Sequence, residues 1–328
     1  MESFRTTLTI PRNRHKISLS DQILTIGSCF SDTIGNQLAS SKINTSVNPF
    51  GIQYNPHSIH KTLSYALSRQ PVPNDTFVNR NGLFFNYDFH SDVSSTDLIS
   101  LQLRLEKQIM EANAFIENAQ WVFPTYGTAL VYERIDTNDI VSNCHKMPQS
   151  LFRKHLLTQK KILDSFGEVY EQLKIANPNI RLILTVSPVR HLKETIEMNS
   201  VSKSILRVAC QTITEQHEDV SYFPSYEVMM DDLRDYRFYK ADMIHPSDVA
   251  EDYIWEKFGE SYFAPDLKTF LAQWKEIQQA LNHRPFHASS HAHQTFLKET
   301  LKRLESLKET INVEDEVALI KSQIEKIS

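Results

Sequence analysis

The sequence predicts an α/β fold: a three-layer sandwich with a mainly parallel central sheet, extended at its C-terminus by helices. Three observations predict it. Apolar, strand-like segments near residues 23, 44, 121, 181 and 220 alternate with segments of helical periodicity, the pattern of a parallel sheet wound through crossover helices. Arg181-Leu182-Ile183-Leu184-Thr185-Val186 stands between a helical segment and Ser187-Pro188, as a strand buried on both faces does. Ile23 to Ile26 run without a linker into Gly27-Ser28-Cys29-Phe30 and then into the helical pattern of Ile34 and Leu38. A strand that turns tightly into a helix sets a side chain at the helix N-terminus, where backbone N–H groups and the dipole favour negative charge.

Taken in order, Thr6 to Ile10 reads as an edge strand closed by Pro11. The first core strand is Ile23 to Ile26, and its helix runs from Ser31 or Asp32, either of them an N-cap residue, to about Ser40. A short strand at Ile43 to Val47 leads into Asn48-Pro49-Phe50-Gly51-Ile52-Gln53-Tyr54-Asn55-Pro56, where two prolines and a glycine dictate a loop. A helix follows from His57 to Ser68. Asn81-Gly82, between strand-like runs from Phe77 to Tyr87, signals a hairpin. Leu98, Leu101, Leu105 and Ile109 predict a helix over about 96–118, before a strand at Trp121 to Tyr126. Ala129 to Tyr132 opens a second hairpin, and a long helix is expected from about Ser150 to Ala176. Beyond the strand at 181–186 come a helix over about 200–217 and a short strand at Val220 to Phe223. A charged, aromatic loop with a short helix reaches Tyr239, and a helix from about Asp248 to Phe258 follows Asp242-Met243-Ile244-His245-Pro246-Ser247.

The pattern changes at Pro265, which divides the chain into a domain over 1–264 and a helical extension over 265–328. Leu267, Phe270, Leu271 and Trp274 make one amphipathic helix; Leu297, Leu301, Leu304, Leu307 and Ile311 make another; Val317, Ile320 and Ile324 close the tail. Apolar residues at such spacing suit helices packed against the main domain, or self-association into a homo-oligomer.

Composition excludes several classes of function. The formal net charge of −5 leaves no basic footprint for nucleic acid. No stretch approaches the ~20 apolar residues of a membrane span, and Met1 to Thr7 hold no signal-peptide core, so a cytoplasmic location is expected. Cys29, Cys144 and Cys210 lack metal-ligand spacing and read as free thiols. With only 7 glycines in 328 residues, against an average usage of ~7%, each is expected to mark a required backbone conformation. No glycine-rich phosphate cradle is present, and neither a metal nor an organic cofactor is expected. The tract His287-Ala288-Ser289-Ser290-His291-Ala292-His293 reads as a mobile linker in preference to a metal site.

Gly27-Ser28-Cys29-Phe30 resembles the Gly-Asp-Ser-Leu block of the SGNH (GDSL) hydrolases, and more closely the GSCFA family, named for that motif and regarded as SGNH-like in fold. The resemblance spans roughly residues 20–260 through Asn48-Pro49-Phe50-Gly51, Gly127-Thr128, Asn143-Cys144-His145-Lys146, Ser187-Pro188-Val189-Arg190-His191 and Asp242 to Ser247. It implies an acyl hydrolase, esterase or thioesterase, or an acyltransferase, acting on an acylated small molecule or carbohydrate. Aligning Gly27 with the glycine of Gly-Asp-Ser-Leu puts Cys29 at the nucleophile and Ser28 at the aspartate, with Ser28 the alternative nucleophile. His245 becomes the general base and Asp242 its orienting carboxylate, a pairing the triad logic requires. A thiol at a helix N-terminus beside a histidine is expected to have a depressed pKa.

The oxyanion hole would use Gly51 and the backbone at Ser28 and Cys29. Where the third SGNH block has Gly-x-Asn, this chain has Gly127-Thr128-Ala129, so Thr128 or Asn143 has to substitute. His145, Arg190 and His191 are candidates for substrate contact or support of His245, and Arg190 suits bidentate contact with an anionic substrate group. The missing asparagine favours a competing reading, a non-catalytic binding module on the same fold with the helical tail as a partner surface.

Overall fold

The structure is a computed structural model that describes residues 6–287 and 289–326. Its elements begin with β1 (Gln22–Gly27), α1 (Cys29–Ser40), β2 (Asn44–Val47), α2 (Pro56–Ser68), β3 (Phe77–Arg80), β4 (Leu83–Asn86), α3 (Leu98–Asn118) and β5 (Trp121–Tyr126). They continue with β6 (Leu130–Arg134), β7 (Ile140–Val141), β8 (Phe152–Leu156), α4 (Gln159–Ala176), β9 (Arg181–Val186), α5 (Ile196–Gln216) and β10 (Val220–Tyr222). The short helix α6 (Ser225–Glu227), α7 (Asp248–Tyr262), α8 (Pro265–Leu281), α9 (His291–Glu305) and α10 (Glu314–Glu325) complete the chain.

Among the described residues the central sheet has the order β10-β9-β5-β1-β2, with every neighbouring pair parallel. Period-two alternation splits each strand between two layers. Leu24, Ile26, Val122, Leu182 and Leu184 point into a core shared with Ile59 and Leu63 of α2, Leu105 of α3, Phe166 of α4 and Leu206 of α5. Each such side chain, fully removed from water, stabilises the fold by ~1.5–3 kcal/mol. On the opposite face Phe123 stacks on Phe258 of α7 with ring centroids 5.5 Å apart. Gly35 brings α1 so close to β1 that an added Cβ would stand 2.5 Å from Thr25 Oγ1. Strand order reverses direction between β1 and β5, the place where an open α/β sheet binds ligands.

Most expected elements are present, and the departures have physical causes. Helix α1 begins at Cys29, ahead of Ser31, which places Cys29 in the first turn. Thr6 to Ile10 pair with no strand; the Leu8 N–H instead donates to Asp232 Oδ1 at 2.6 Å. The long helix starts at Gln159, well after Ser150, because Phe152 to Leu156 form β8 against β6 in antiparallel register, Leu130 opposite Leu156. Thr158 then caps α4 by accepting from the Lys161 N–H at 3.2 Å. Cross-strand pairing and the contact of Phe152 with Tyr87, centroids 5.8 Å apart, override the helical appearance of this stretch. The Asn81-Gly82 hairpin forms between β3 and β4 with both residues at positive φ.

The chain divides into two compact units: one of residues 1–15, 20–39 and 43–262, the other of 16–19, 40–42 and 263–328. The two short N-terminal segments of the second unit have no sequence signal. Within the second unit Ile17 bridges Phe263, and the Trp274 indole N–H donates to the Ser40 carbonyl at 2.8 Å. Leu267, Phe270, Trp274, Leu297, Leu304 and Ile320 are buried there. Leu307 and Ile311 lie beyond the end of α9 in turns rather than on its apolar face. The histidine tract is not wholly a linker: Ser290 caps α9 and His293 is buried on it, while Ala288 lies outside the described residues. Residues 1–5 of the leader reading also lie outside them. No described helix is long and apolar enough to cross a membrane, and no cluster of metal-ligating side chains occurs among the described residues.

Gly27 ends β1 at φ +138°, and an added Cβ would lie 2.2 Å from the Thr125 carbonyl oxygen. Gly27→Ala is expected to cost at least ~2 kcal/mol of unfolding free energy, since backbone on the neighbouring strand cannot step aside. Urea denaturation of the two proteins measures it.

Candidate active site

The turn after β1 is built from backbone groups of three loops. Ser28 donates its N–H to the Thr125 carbonyl at 3.1 Å, and its own carbonyl accepts from the Ser31 N–H at 2.7 Å. The Gly27 N–H donates to Asn48 Oδ1 at 2.7 Å, and Asn48 Nδ2 donates to Asp32 Oδ1 at 2.5 Å. The Gly27 carbonyl accepts from the Gln53 N–H at 2.8 Å. Cys29 therefore stands at a fixed point, at the start of α1, where first-turn N–H groups have no intrahelical acceptor. Its half-buried thiol lies 3.9 Å from the Tyr54 hydroxyl.

Ser28 and Cys29 open on a cleft of about 740 Å³ that Thr128, Asn143, Arg190, His191 and His245 also line. Ile244 and His245 of the Asp242 block line it too. Asp242 Oδ1 accepts the N–H groups of Ile244 at 2.8 Å and His245 at 3.0 Å, while Oδ2 meets His245 Nδ1 at 2.7 Å. These bonds, the His245 backbone N–H foremost, hold the Asp242 carboxyl down to about 2. Asp242 is thus a carboxylate throughout the neutral range and fixes the tautomer with the proton on Nδ1, leaving Nε2 the basic nitrogen. The block is tied to the loop after β9 by the Arg190 N–H, which donates to the Ile244 carbonyl at 3.2 Å.

Other expected residues are placed differently. Gly51 does not line the cleft; its N–H is engaged by the Asn48 carbonyl at 2.8 Å, and its φ of +76° and contact with His90 account for the glycine. Thr128 lines the cleft with its N–H already given to the Tyr54 carbonyl at 2.8 Å, and its hydroxyl is engaged with Ser202 Oγ at 3.0 Å and accepts from the Leu130 N–H at 3.0 Å. Asn143 accepts the His145 N–H through Oδ1 at 2.8 Å, which turns its amide NH₂ away from that bond as the remaining side-chain donor. His145 is buried outside the cleft, with Nε2 against the Asn86 carbonyl at 2.7 Å and Nδ1 against Ser91 Oγ at 3.1 Å. Burial lowers it to about 4, so it is neutral and holds loop backbone. His191 is likewise lowered, by burial first and then by Lys203 and Lys193.

The expected depression of the Cys29 pKa is not what the site produces. Burial, the largest effect, raises it; the Tyr54 hydroxyl contact pulls it back in part, and the Asp32 carboxylate raises it further. Ser28 is 3% exposed and its hydroxyl has no hydrogen-bond partner among the described residues.

Sequence reasoning missed Tyr54, the role of Asn48, and Lys203. Lys203 is fully buried on α5 and donates to the carbonyls of Gly127 at 2.8 Å and Ser187 at 2.6 Å, clamping the loops after β5 and β9. A signal for it existed: Lys203 falls on the same helical stripe as the buried Leu206, Cys210 and Ile213. Asn48 and Tyr54 carried none beyond their place in a proline- and glycine-bounded loop.

Two measurements follow from these charges. Alkylation of Cys29 by iodoacetamide, followed by peptide mass spectrometry, is expected to be slow at neutral pH and to keep rising beyond pH 9, because the thiolate is the reactive form. A rate that is already maximal at pH 7 would contradict the raised pKa. Burial lowers Lys203 from 10.5 to about 7, so between those values the unfolded chain binds a proton the folded one does not, and stability rises with pH. Urea midpoints at pH 7 and pH 10 should show the parent gaining stability relative to Lys203→Met over that window.

Several solved structures are similar to the chain. A Streptococcus pneumonia protein described provisionally as a platelet activating factor shares 11% identity at a TM-score of 0.38, over 74% of this chain and 83% of that one. A carbohydrate esterase family 3 structure from Talaromyces cellulolyticus shares 10% at 0.35, over 77% and 98%. A Clostridium thermocellum family 3 carbohydrate esterase shares 12% at 0.31, over 77% and 98%. No curated protein matches the chain. Residues 274–326 match the GSCFA domain protein C-terminal domain, and residues 22–258, which hold the nucleophile-like turn, the cleft loops and the Asp242–His245 pair, match the GSCFA family, to which the chain belongs.

Proposed function

We propose that the chain is an acyl hydrolase, an esterase or thioesterase acting on an acylated small molecule or carbohydrate, with Cys29 as nucleophile, His245 as general base and Asp242 as the carboxylate that orients His245. The observation that supports this is that Cys29 and the Asp242-bonded His245 both line one cleft. Chemical logic supplies the steps. Because burial keeps the Cys29 thiol protonated, attack has to be coupled to proton removal. His245 Nε2 takes the Sγ proton as sulfur bonds to the acyl carbonyl carbon, and Asp242 stabilises the imidazolium through Nδ1. The oxyanion faces the Cys29 backbone N–H and the Asn143 amide. The imidazolium then protonates the leaving alkoxide or thiolate, and water, deprotonated by the same nitrogen, cleaves the thioester. An alcohol in place of water would make the reaction acyl transfer. None of these steps calls for a metal or an organic cofactor.

Ser28 is less suited to the role, since it is almost wholly buried while Cys29 is only half-buried. A second reading, a binding module without turnover, is favoured by one observation: the N–H groups of Gly51 and Thr128 already have acceptors.

Screening the purified protein against acyl esters and thioesters separates the two. His245→Ala and Cys29→Ala are expected to lower turnover by ~10³ or more, with thermal unfolding little changed, and Cys29→Ser to retain a trace. No turnover above the Cys29→Ala background on any substrate would favour the binding module. Full activity in Cys29→Ala, with none in Ser28→Ala, would move the nucleophile to Ser28.

A further inference from the structure

Lys146, Arg190 and Lys193 line the cleft, and among the described residues no aspartate or glutamate does. A chain with a formal charge of −5 has carboxylates in excess, so their absence from this wall is a local arrangement. Cations on β6 and β8 that do not line the cleft are neutralised: Arg134 pairs with Asp136, Arg153 with Glu133 and Lys154 with Glu194. Lys146, Arg190 and Lys193 form no ion pair among the described residues.

Arg190 is the best placed of the three. It is half-buried, and its guanidinium lies 4.2 Å from the Tyr239 ring centroid and 5.3 Å from that of Tyr236, rings that line an adjoining pocket together with Arg190 and Asp235 and do not line the cleft itself. Its backbone N–H is fixed to the Ile244 carbonyl, one residue before His245. Aromatic rings engage the face of a guanidinium and leave its rim of N–H donors open, and that planar rim matches the paired oxygens of a carboxylate or phosphate. Lys193 stands 5.3 Å from the Tyr132 ring, also without a carboxylate. Leu130, Val141, Met147 and Phe152 give the same cleft an apolar wall.

We propose that the cleft takes acyl substrates bearing an anionic oxygen group, a phosphate or a carboxylate, with Arg190 as its principal anchor, Lys193 as a supporting cation and the acyl chain against the apolar wall. The chemistry rests on the acyl-hydrolase reading; the anion site does not. Uncompensated positive charge in a cleft draws anions in and turns cations away.

The test compares mono-O-acetylated glucose, glucuronate and glucose 6-phosphate. One or both charged esters should exceed the neutral ester about tenfold or more in kcat/KM, a difference of about 1.4 kcal/mol, and the better one distinguishes carboxylate from phosphate. Arg190→Gln should reduce the charged-to-neutral ratio about tenfold, mainly through KM, and Lys193→Gln should do so to a smaller extent. If Arg190→Gln fails to fold, the exposed Lys193 position carries the comparison. Independently of turnover, glucose 6-phosphate or glucuronate should slow alkylation of Cys29 where glucose does not. Selective protection without turnover of any ester would support the anion site while overturning the hydrolase reading. Equal turnover of the three esters without selective protection would overturn the anion site and leave the hydrolase reading standing. Equal loss on all three esters in the folded variants would also overturn it, and neither turnover nor protection would overturn both.

Discussion

The site depends on how closely β1 approaches β5 at Gly27. A glycine is required there because the turn rides directly over the Thr125 carbonyl, at a distance no Cβ could occupy. That approach lets Ser28 hydrogen-bond Thr125 and start α1 one residue later, at Cys29. It also leaves the Gly27 N–H and carbonyl pointing at the second loop, where Asn48 and Gln53 receive them. Asn48, at φ +40°, then reaches Asp32 in the helix that the turn begins. One short contact between parallel strands thus sets the first helix, the second loop and the position of the Cys29 sulfur together. The third and fourth loops are drawn into the same assembly from behind: the Tyr54 carbonyl accepts the N–H groups of Gly127 and Thr128, and Lys203 spans the carbonyls of Gly127 and Ser187.

Burial at this turn has an electrical consequence. A sulfur half removed from water, near the Asp32 carboxylate, resists becoming an anion, and the Tyr54 contact only partly offsets this. A resting thiolate is the form most exposed to oxidation, so a protonated sulfur is the more durable resting state. Under the proposed function the proton then leaves only when His245 can receive it, and the imidazole depends in turn on a carboxylate kept ionised by backbone N–H groups. Asp242 obtains those groups from the turn that also carries His245, which is why three residues of sequence separation are enough to join orientation to charge stabilisation.

Much of this was legible in the chain because it is local. Strand-helix alternation, the Asn81-Gly82 hairpin and the turn at Gly27 are written in neighbouring residues, and so is the Asp242–His245 spacing. What was not legible depends on distant contacts. Phe152 to Leu156 look helical until β6 is available to pair with them. Gly51 and Thr128 look like free donors until Asn48 and Tyr54 supply acceptors. The reactivity of Cys29 was misread for the same reason: a helix N-terminus is visible in sequence and lowers a thiol pKa, whereas burial, which raises it, is a property of the packed site. Lys203 was readable in principle, as a charge on an apolar stripe, but its two carbonyl partners belong to loops 76 and 16 residues away.

The antiparallel sheet that sequence analysis half missed explains how the cleft is divided. The order β7-β6-β8 forms from a segment inserted between β5 and α4. That segment supplies Leu130, Val141, Asn143, Lys146, Met147 and Phe152 to the cleft. Cys29, Ser187 and His245 come instead from loops at the carboxyl edge of the parallel sheet and from the turn before α7. Cys29, Ser187 and His245 are therefore held by buried strands and backbone hydrogen bonds, and the apolar wall, which under the proposed function meets the acyl chain, is held by a separate small sheet with its own pairing. Changes of side chain on β6 and β8 can reshape that wall without touching the contact between Gly27 and Thr125, because no hydrogen bond of the turn runs through the inserted strands. Under the proposed function, selection of substrate and positioning of the sulfur fall to different parts of the chain, while Arg190, which lines the cleft, ties the loop after β9 to the His245 turn through its backbone bond to Ile244.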